Sequence, residues 1–180
     1  SRNTSNELYI TEVNWPLQGM GEWSPSKEYL IEESFQSRYM VRYYLLMLAS
    51  GKVKKCYWHQ LVAPGYGLVN NLDGKIDKRD AYFCFKHMIE ALSGGKTSKF
   101  IQEKNLYCLI VEKENTFLEV IWSIDKNASF KSNPSQQIFD IRGNIIDTKN
   151  SPIIEITDEV VYIEKQKTNY EETNLKFINE

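Results

Sequence analysis

A change of pattern at Gly94-Gly95 constrains the fold of this 180-residue chain more than any other feature. Before these glycines, strand-like and helix-like segments alternate, which is typical of βα units in a parallel sheet. After them no helical period occurs, and short apolar runs are separated by turn residues, which is typical of an antiparallel sandwich. The sequence therefore predicts an α/β region over residues 1–96, an all-β sandwich over 97–165, and a polar tail, 166–180, that is loose unless it docks.

The first strand–helix pair is marked by the residues at its ends. Leu8–Val13 is β-branched and aromatic and runs into a loop at Pro16, which predicts a strand leaving a sheet. Ser24-Pro25 has the residue types of a helix N-cap and first position, so the sequence predicts a helix that starts there and is closed by Gly51. Its stretch Tyr43–Ala49 is apolar on every side and should be deeply covered.

A second strand–helix pair follows. Lys55–Leu61 predicts a strand, and the glycine- and proline-containing segment Ala63–Gly67 predicts a loop. A helix is predicted over Arg79–Leu92, with Tyr82, Phe85, Ile89 and Leu92 on its apolar face. Beyond Gly95 the predicted strands are Phe100–Glu103, Leu106–Glu112, Phe117–Ile124, Gln137–Ile141, Ile153–Ile156 and Val160–Ile163.

Charge and apolar content exclude several classes of protein. The chain has 22 basic and 24 acidic residues, so its net charge of −2 lacks the basic footprint of a nucleic-acid-binding protein. Its longest apolar run, Tyr43–Ala49, is far shorter than the roughly 20 residues that a membrane-spanning helix needs. With 42% apolar and 13% aromatic residues, the chain can build a large core. We therefore expect a folded, soluble protein without nucleic-acid or membrane partners.

The cysteines argue against a metal site. Cys56, Cys84 and Cys108 form no C-x-x-C pair, and only His59 and His87 could join them as ligands. This spacing predicts no zinc or other metal site, and no motif indicates a cofactor. The cysteines are expected to be buried free thiols. Because an odd count leaves one thiol unpaired, it favours a reducing, cytoplasmic compartment.

A carboxylate and an indole occupy equivalent places at the ends of the two predicted strands. Glu12 stands at the carboxyl end of the first and Trp58 at that of the second. In parallel α/β folds these ends form the functional face, so the two side chains should meet at one mouth. Aromatic faces stack on sugar rings, and carboxylates perform glycosidic chemistry. The pair favours a carbohydrate site, with a solvated Glu12 and a core Trp58 as the alternatives.

The motifs around these residues resemble those of a known enzyme family. Ile10–Pro16, with the sequence Ile-Thr-Glu-Val-Asn-Trp-Pro, looks like the seventh strand of retaining TIM-barrel glycoside hydrolases of the cellulase and xylosidase clan, in which a Glu here is the nucleophile. Tyr39–Gly51 is similar to the helix that follows. Cys56–Leu61 is similar to the eighth strand, whose Trp forms the floor of the sugar site. Asp80-Ala81-Tyr82 looks like the start of the last barrel helix.

The second region resembles the C-terminal sandwich of xylosidase-like members of this clan, through Asp140–Asn144 and Glu159–Ile163. The resemblance implies the last two βα units of a (β/α)8 barrel followed by a small antiparallel β-sandwich. A whole barrel has eight units in about 250 residues, so six are absent, together with the fourth-strand Asn-Glu pair that supplies the acid/base. The chain also starts at Ser1 without a Met or a signal peptide. We therefore expect the C-terminal part of a larger hydrolase, inactive alone and partnered by the missing barrel units.

The resemblance also implies residue roles. Glu12 would be the nucleophile of a retaining double displacement on O-glycosidic bonds, with a carbohydrate substrate and neither cofactor nor metal. Glu22 and Trp23, on the next loop, would line outer subsites or form an exposed loop tip. His59 suits a structural role equally well. The residues expected to bind the sugar at this mouth are Trp58, Asn14, Trp15, His59 and Gln60.

Two other interpretations remain open at this point. The chain could be a carbohydrate-binding or interaction module without chemistry, although such a module has no need of the Glu12 carboxylate beside an aromatic platform. It could also be a small complete α/β domain whose resemblance to hydrolases is accidental. Two exposed parallel strands argue against that, since parallel sheets are normally covered on both faces.

Overall fold

The computed structural model mixes helix and strand, and most of its sheets are antiparallel. The chain divides into two compact units, Ser1–Phe83 and Cys84–Glu180. Among the described residues, no helix is both long and apolar enough to cross a membrane. The described residues are 7–24, 27–124, 128–134, 136–149 and 151–177.

Two parallel strands joined by a long helix organise the first unit. β1 (Leu8–Val13) pairs with β2 (Val53–Trp58), and α1 (Glu33–Ser50) connects them. β1 has the predicted bounds, whereas β2 both begins and ends earlier than the sequence pattern indicates. Val13 lies opposite Trp58 in the ladder, so both strands end at one edge of the sheet. This is the parallel arrangement that the strand–helix alternation predicts.

The predicted start of the first helix is wrong. α1 begins at Glu33, well after Ser24, and the proposed first position, Pro25, lies outside the described residues. The Ile31 N–H donates to the Pro16 carbonyl (3.0 Å), and the Ile31 carbonyl accepts from Gln18 N–H (2.9 Å). Because this bridge holds the backbone of Ile31 extended, helical geometry can begin only after it. The C-terminus agrees with the prediction: Gly51 has φ 61° and caps the helix.

The apolar second half of α1 is less covered than predicted. Within Tyr43–Ala49 only Leu45 is fully buried, and Leu46 and Leu48 are exposed. The buried stripe of the helix also contains Met40 and Val41. A helix that packs on one two-stranded sheet buries a single stripe, so residues on its outer side stay in solvent.

A short hairpin precedes the second helix. β3 (Val69–Asn70) and β4 (Asp77–Lys78) pair antiparallel between the Ala63–Gly67 loop and the second helix, where the sequence analysis predicted no strand. α2 (Asp80–Leu92) begins one residue later than predicted. Strands this short carry no readable period, which is why the sequence did not indicate them.

The predicted buried face of α2 is wrong. Ile89 is exposed, and Tyr82 and Phe85 are only partly buried. The three fully buried positions are at helical spacing, and two of them have small side chains. Both stripes satisfy the helical period, so periodicity alone could not choose between them. The fully buried residues of α2 are Ala81, Cys84 and Met88.

The second unit contains two antiparallel sheets. Its strands are β5 (Lys96–Glu103), β6 (Leu106–Glu112), β7 (Thr116–Ser123), β8 (Ala128–Lys131), β9 (Gln137–Phe139), β10 (Ile153–Ile156), β11 (Val161–Gln166) and β12 (Lys176–Phe177). One sheet has the order β5-β6-β7-β11-β9, and the other has the order β10-β8-β12. Apolar side chains of both sheets share one core, as the predicted sandwich requires. The sequence analysis placed β6 and β10 at their observed bounds and missed β8 and β12.

The described part of the polar tail, residues 166–177, packs onto the strands of the second unit. The Glu119 carboxylate on β7 is completely buried and accepts hydrogen bonds from Lys165 Nζ (2.9 Å) and Tyr170 Oη (3.1 Å). The backbone N–H and the hydroxyl of Thr173 also donate to it. Lys165 Nζ donates in turn to the Glu171 carbonyl (2.6 Å). A buried carboxylate with several donors from the tail therefore fixes the segment that leads to β12.

His87 on α2 packs among aromatic side chains of the same unit. Its imidazole meets the Tyr162 ring edge-on, with 4.7 Å between ring centroids, and lies 6.0 Å from the Phe139 ring. A Cβ atom at Gly143 would lie 2.4 Å from His87 Nδ1, so only glycine fits there. Burial lowers the pKa of His87, and the nearby Asp140 carboxylate opposes that shift.

We expect Lys165→Met to destabilise the second unit by about 3–5 kcal/mol, because it leaves the Glu119 carboxylate buried without its cation. Hydrogen exchange of the β7 and β11 amides measures the opening free energy of this unit separately. The matched control is Lys167→Met, which removes an exposed ion pair with Glu112 and should cost much less. Equal losses for the two variants would contradict the importance of the buried pair.

The stability of the second unit should depend on pH through His87. Its folded pKa is lowered from 6.5, so the unfolded chain binds the proton more tightly. Stability should therefore be complete above about pH 6.5 and fall as the pH drops below that value. His87→Gln should flatten this pH dependence of the unfolding free energy, which is measured by hydrogen exchange at increasing urea concentration. His59→Gln is the matched control for loss of a histidine and should leave the pH dependence of the second unit in place, because His59 lies in the first unit.

Candidate functional site

The carboxyl ends of β1 and β2 bring three of the predicted site residues together. The His59 N–H donates to the Val13 carbonyl (3.1 Å) and so continues the ladder past Trp58. The Asn14 amide Nδ2 donates to the His59 carbonyl (2.7 Å). His59 Nδ1 lies 3.7 Å from Glu12 Oε2, within ion-pair distance. Backbone pairing thus places the Glu12 carboxylate beside an imidazole.

An irregularity in β1 sets the position of Glu12. Ile10 pairs with Cys56 and Val13 with Trp58, so the three-residue step in β1 faces a two-residue step in β2. An extra residue of this kind interrupts the alternation of side chains and re-aims them. The Glu12 side chain is 66% exposed and that of His59 is 42% exposed. A ligand in solvent can therefore reach both groups.

The structure places Trp58 in an aromatic cluster that includes residues of α1. The Trp58 and Trp15 rings lie 5.9 Å apart at an angle of 33°. Trp15 also contacts the rings of Tyr39 (5.9 Å) and Tyr43 (5.7 Å) on α1, in both cases edge-on. Both indoles are partly buried. This packing suits a core role, the alternative that the sequence left open for Trp58.

The aromatic group next to His59 is Tyr66, which the sequence analysis did not select. The two rings are nearly parallel, at 7°, with centroids 5.8 Å apart. The Tyr66 hydroxyl donates to Gln60 Oε1 (3.2 Å), so one side chain contacts both His59 and Gln60. The available sequence signal was an aromatic residue between Gly65 and Gly67 in the loop after β2, because such loops carry functional residues.

The loop after β1 lies against the loop after β2. The Leu17 N–H donates to the Gly65 carbonyl (2.8 Å). A Cβ at Gly65 would lie 1.9 Å from the Trp23 carbonyl oxygen, so a larger residue would push the loops apart. Glu22 and Trp23 form a short 3-10 helix on this loop, and both side chains are exposed. The exposed loop tip that the sequence analysis considered is what these two residues form.

Thiol and metal chemistry find no support in the described parts of the chain. None of the three cysteines, all of which lie in the described ranges, forms a disulfide bond. Burial raises the pKa of the Cys56 and Cys108 thiols, which favours the protonated thiol over the nucleophilic thiolate. No group of three or more His, Cys, Asp or Glu residues in the described ranges could hold a metal ion.

The fold is similar to parts of two solved glycoside hydrolases. One is a family 39 glycoside hydrolase from the gut symbiont Bacteroides cellulosilyticus WH2, with a TM-score of 0.65, 12% identity, and coverage of 86% of this chain and 33% of that chain. The other is a GH30 endoxylanase from Clostridium papyrosolvens C71, with a TM-score of 0.56, 13% identity, and coverage of 89% and 42%. No family model and no curated protein matches the sequence.

The chain therefore spans about a third of one solved hydrolase and about two fifths of the other. At these identities the likeness is one of fold. Both similarities cover most of this chain, so they include the strand–helix unit as well as the sandwich unit.

Proposed function

We propose that this chain is the C-terminal part of a glycoside hydrolase that cleaves O-glycosidic bonds by a retaining double displacement, with Glu12 as the nucleophile. The observation that carries the proposal is the exposed Glu12 carboxylate, 3.7 Å from the His59 imidazole at the carboxyl end of a parallel strand. The fold likeness to two glycoside hydrolases supports the same reaction class.

The mechanism assigns one step to this chain. The ionised Glu12 carboxylate attacks the anomeric carbon, the bond to the leaving oxygen breaks, and a glycosyl ester forms on Glu12. A second carboxyl group, about 5–5.5 Å away, protonates the leaving oxygen and later activates water. We place that acid/base in a part of the protein outside this chain. The chain alone then lacks one of the two required groups and should be inactive.

The surface of the first unit suits such an incomplete barrel. Parallel sheets are normally covered on both faces, yet Tyr9 of β1 and Tyr57 of β2 are exposed. On α1, Leu46 and Leu48 are exposed as well. We propose that further βα units of a (β/α)8 barrel cover these residues, and that β1–α1 and β2–α2 are its last two units.

His59, Gln60 and Asn14 are the proposed sugar contacts nearest to the nucleophile. Gln60 is exposed, and because its Oε1 accepts from Tyr66, we propose its amide Nε2 as the group that donates to a sugar hydroxyl. Asn14 has a different task, because its amide binds the His59 carbonyl. We propose that Asn14 acts by holding the His59 backbone. We also propose that Trp15 and Trp58 support the floor of the sugar site.

Glu12→Gln in the full-length protein should lower kcat on aryl glycosides by at least about 10³-fold, the order of loss when a hydrolase loses its covalent nucleophile. Substrate binding should change little, because the amide keeps the shape of the carboxylate. Added azide should restore turnover and yield a glycosyl azide of inverted configuration. The matched control is Glu114→Gln, the same exchange at an exposed position of the second unit, which should leave kcat unchanged.

Two results would contradict the proposal. Undiminished turnover of Glu12→Gln would overturn the assignment of Glu12 as the nucleophile. A carbohydrate-binding module would then be the better interpretation of this chain. The sequence that precedes Ser1 in the full-length protein is an independent test. Six further βα units with an Asn-Glu at the end of the fourth strand would support a barrel hydrolase, and their absence would refute it.

A further inference from the structure

The loop after β2 is held by its carbonyl groups. Within Ala63–Gly67, which we call the Tyr66 loop, every carbonyl oxygen accepts a hydrogen bond. The Gly67 N–H donates to the Ala63 carbonyl (3.1 Å), and the Leu17 N–H to the Gly65 carbonyl. The Gln36 side chain, completely buried on α1, donates to the Tyr66 carbonyl (3.0 Å). A loop with all five carbonyls bound has little freedom to change shape.

Arg79 supplies the remaining hydrogen bonds to the Tyr66 loop. Its guanidinium donates to the carbonyls of Ala63 (3.4 Å), Pro64 (2.6 Å) and Gly67 (3.3 Å). Nε donates to the Glu33 carboxylate (3.0 Å), at the start of α1. The Arg79 side chain is only 2% exposed. Because a buried guanidinium must be fully paired, these four acceptors account for its position.

The Tyr66 loop contacts the candidate site through the Tyr66 side chain. Its backbone is fixed on the Arg79 side, and its one aromatic side chain lies parallel to the His59 imidazole. The Tyr66 hydroxyl also fixes Gln60. A continuous set of contacts therefore runs from Arg79 through the loop to His59 and on to Glu12.

We propose that Arg79 is a positioning residue of the candidate site, holding the Tyr66 loop so that Tyr66 keeps His59 and Gln60 oriented beside Glu12. Its effect on catalysis rests on the proposed function, whereas its effect on His59 does not. Lysine cannot replace arginine here, since an ammonium group lacks the planar fork that reaches three carbonyls and a carboxylate together. Errors in orientation of about 1 Å can cost on the order of 10²-fold in rate.

The first test uses NMR of this 180-residue chain. It has two histidines, so the His59 ring signals report the site and those of His87 report the second unit, while the amide signals of β1 and β2 report that the first unit stays folded. Tyr66→Leu removes the stacked ring and should shift the His59 signals, whereas Tyr66→Phe keeps the ring and should leave them nearly unchanged. Arg79→Lys should shift the His59 signals in the same direction as Tyr66→Leu, with His87 unmoved.

A milder variant keeps this test decisive if Arg79→Lys does not fold. Glu33→Gln removes only the partner at the exposed end of the ion pair and should give a smaller His59 shift in the same direction. Glu155→Gln, the same exchange at an exposed position of β10 in the second unit, is the matched control for Glu33→Gln and should change neither histidine. His59 signals that stay in place in both Glu33→Gln and Arg79→Lys would overturn the proposal.

The second test is kinetic and separates the two proposals. In the full-length protein, Arg79→Lys and Tyr66→Leu should lower kcat on the order of 10²-fold with little change in KM, because they disturb orientation more than binding. If Glu12→Gln abolishes turnover while these variants keep wild-type kcat, the positioning role fails alone. If the His59 signals shift as expected while Glu12→Gln remains active, the proposed hydrolase function fails and the structural link stands.

Discussion

The parallel pairing of β1 with β2 is the constraint on which the candidate site depends. It aligns Val13 with Trp58, and one further backbone hydrogen bond, from His59 to Val13, carries the alignment into the loops. The distance between the Glu12 carboxylate and the His59 imidazole follows from that register. A slip of one residue would turn every side chain of one strand to the other face of the sheet. The geometry of the candidate site therefore depends first on the register of the two strands and only then on the residues of the loops.

Each unit uses one buried charged side chain to hold an irregular segment. Arg79 donates to carbonyls of the Tyr66 loop, and Glu119 accepts hydrogen bonds from Tyr170 and Thr173 in the tail after β11. Neither segment has the periodic apolar pattern that would fix it by packing alone. Buried charges are costly unless they are paired, so each one selects the single backbone arrangement that satisfies it. In both units, hydrogen bonds to a buried charged group fix the backbone of a segment that the hydrophobic core does not hold.

The elements that could be predicted are those with a local signature. Leu8–Val13 and Leu106–Glu112 were found at their bounds because β-branched and apolar residues mark such strands. The helix start at Ser24 was misplaced because the Ile31 bridge, which joins residues distant in sequence, overrides a good capping signal. The position of Glu12 near the end of β1 could be predicted from the local signature of that strand. Tyr66 could not, since its stack on His59 depends on five carbonyl contacts that only the folded loop creates.

The additional residue between Ile10 and Val13 makes the length of β1 as important as its composition. Removing one residue there would remove this interruption of the pairing, and the carboxylate would then occupy an ordinary alternating position. No substitution could restore the original direction of the Glu12 side chain, because that direction depends on the number of residues in the strand and not on their type. Homologous chains should accordingly vary in identity at Thr11 more freely than they vary in the number of residues before Val13.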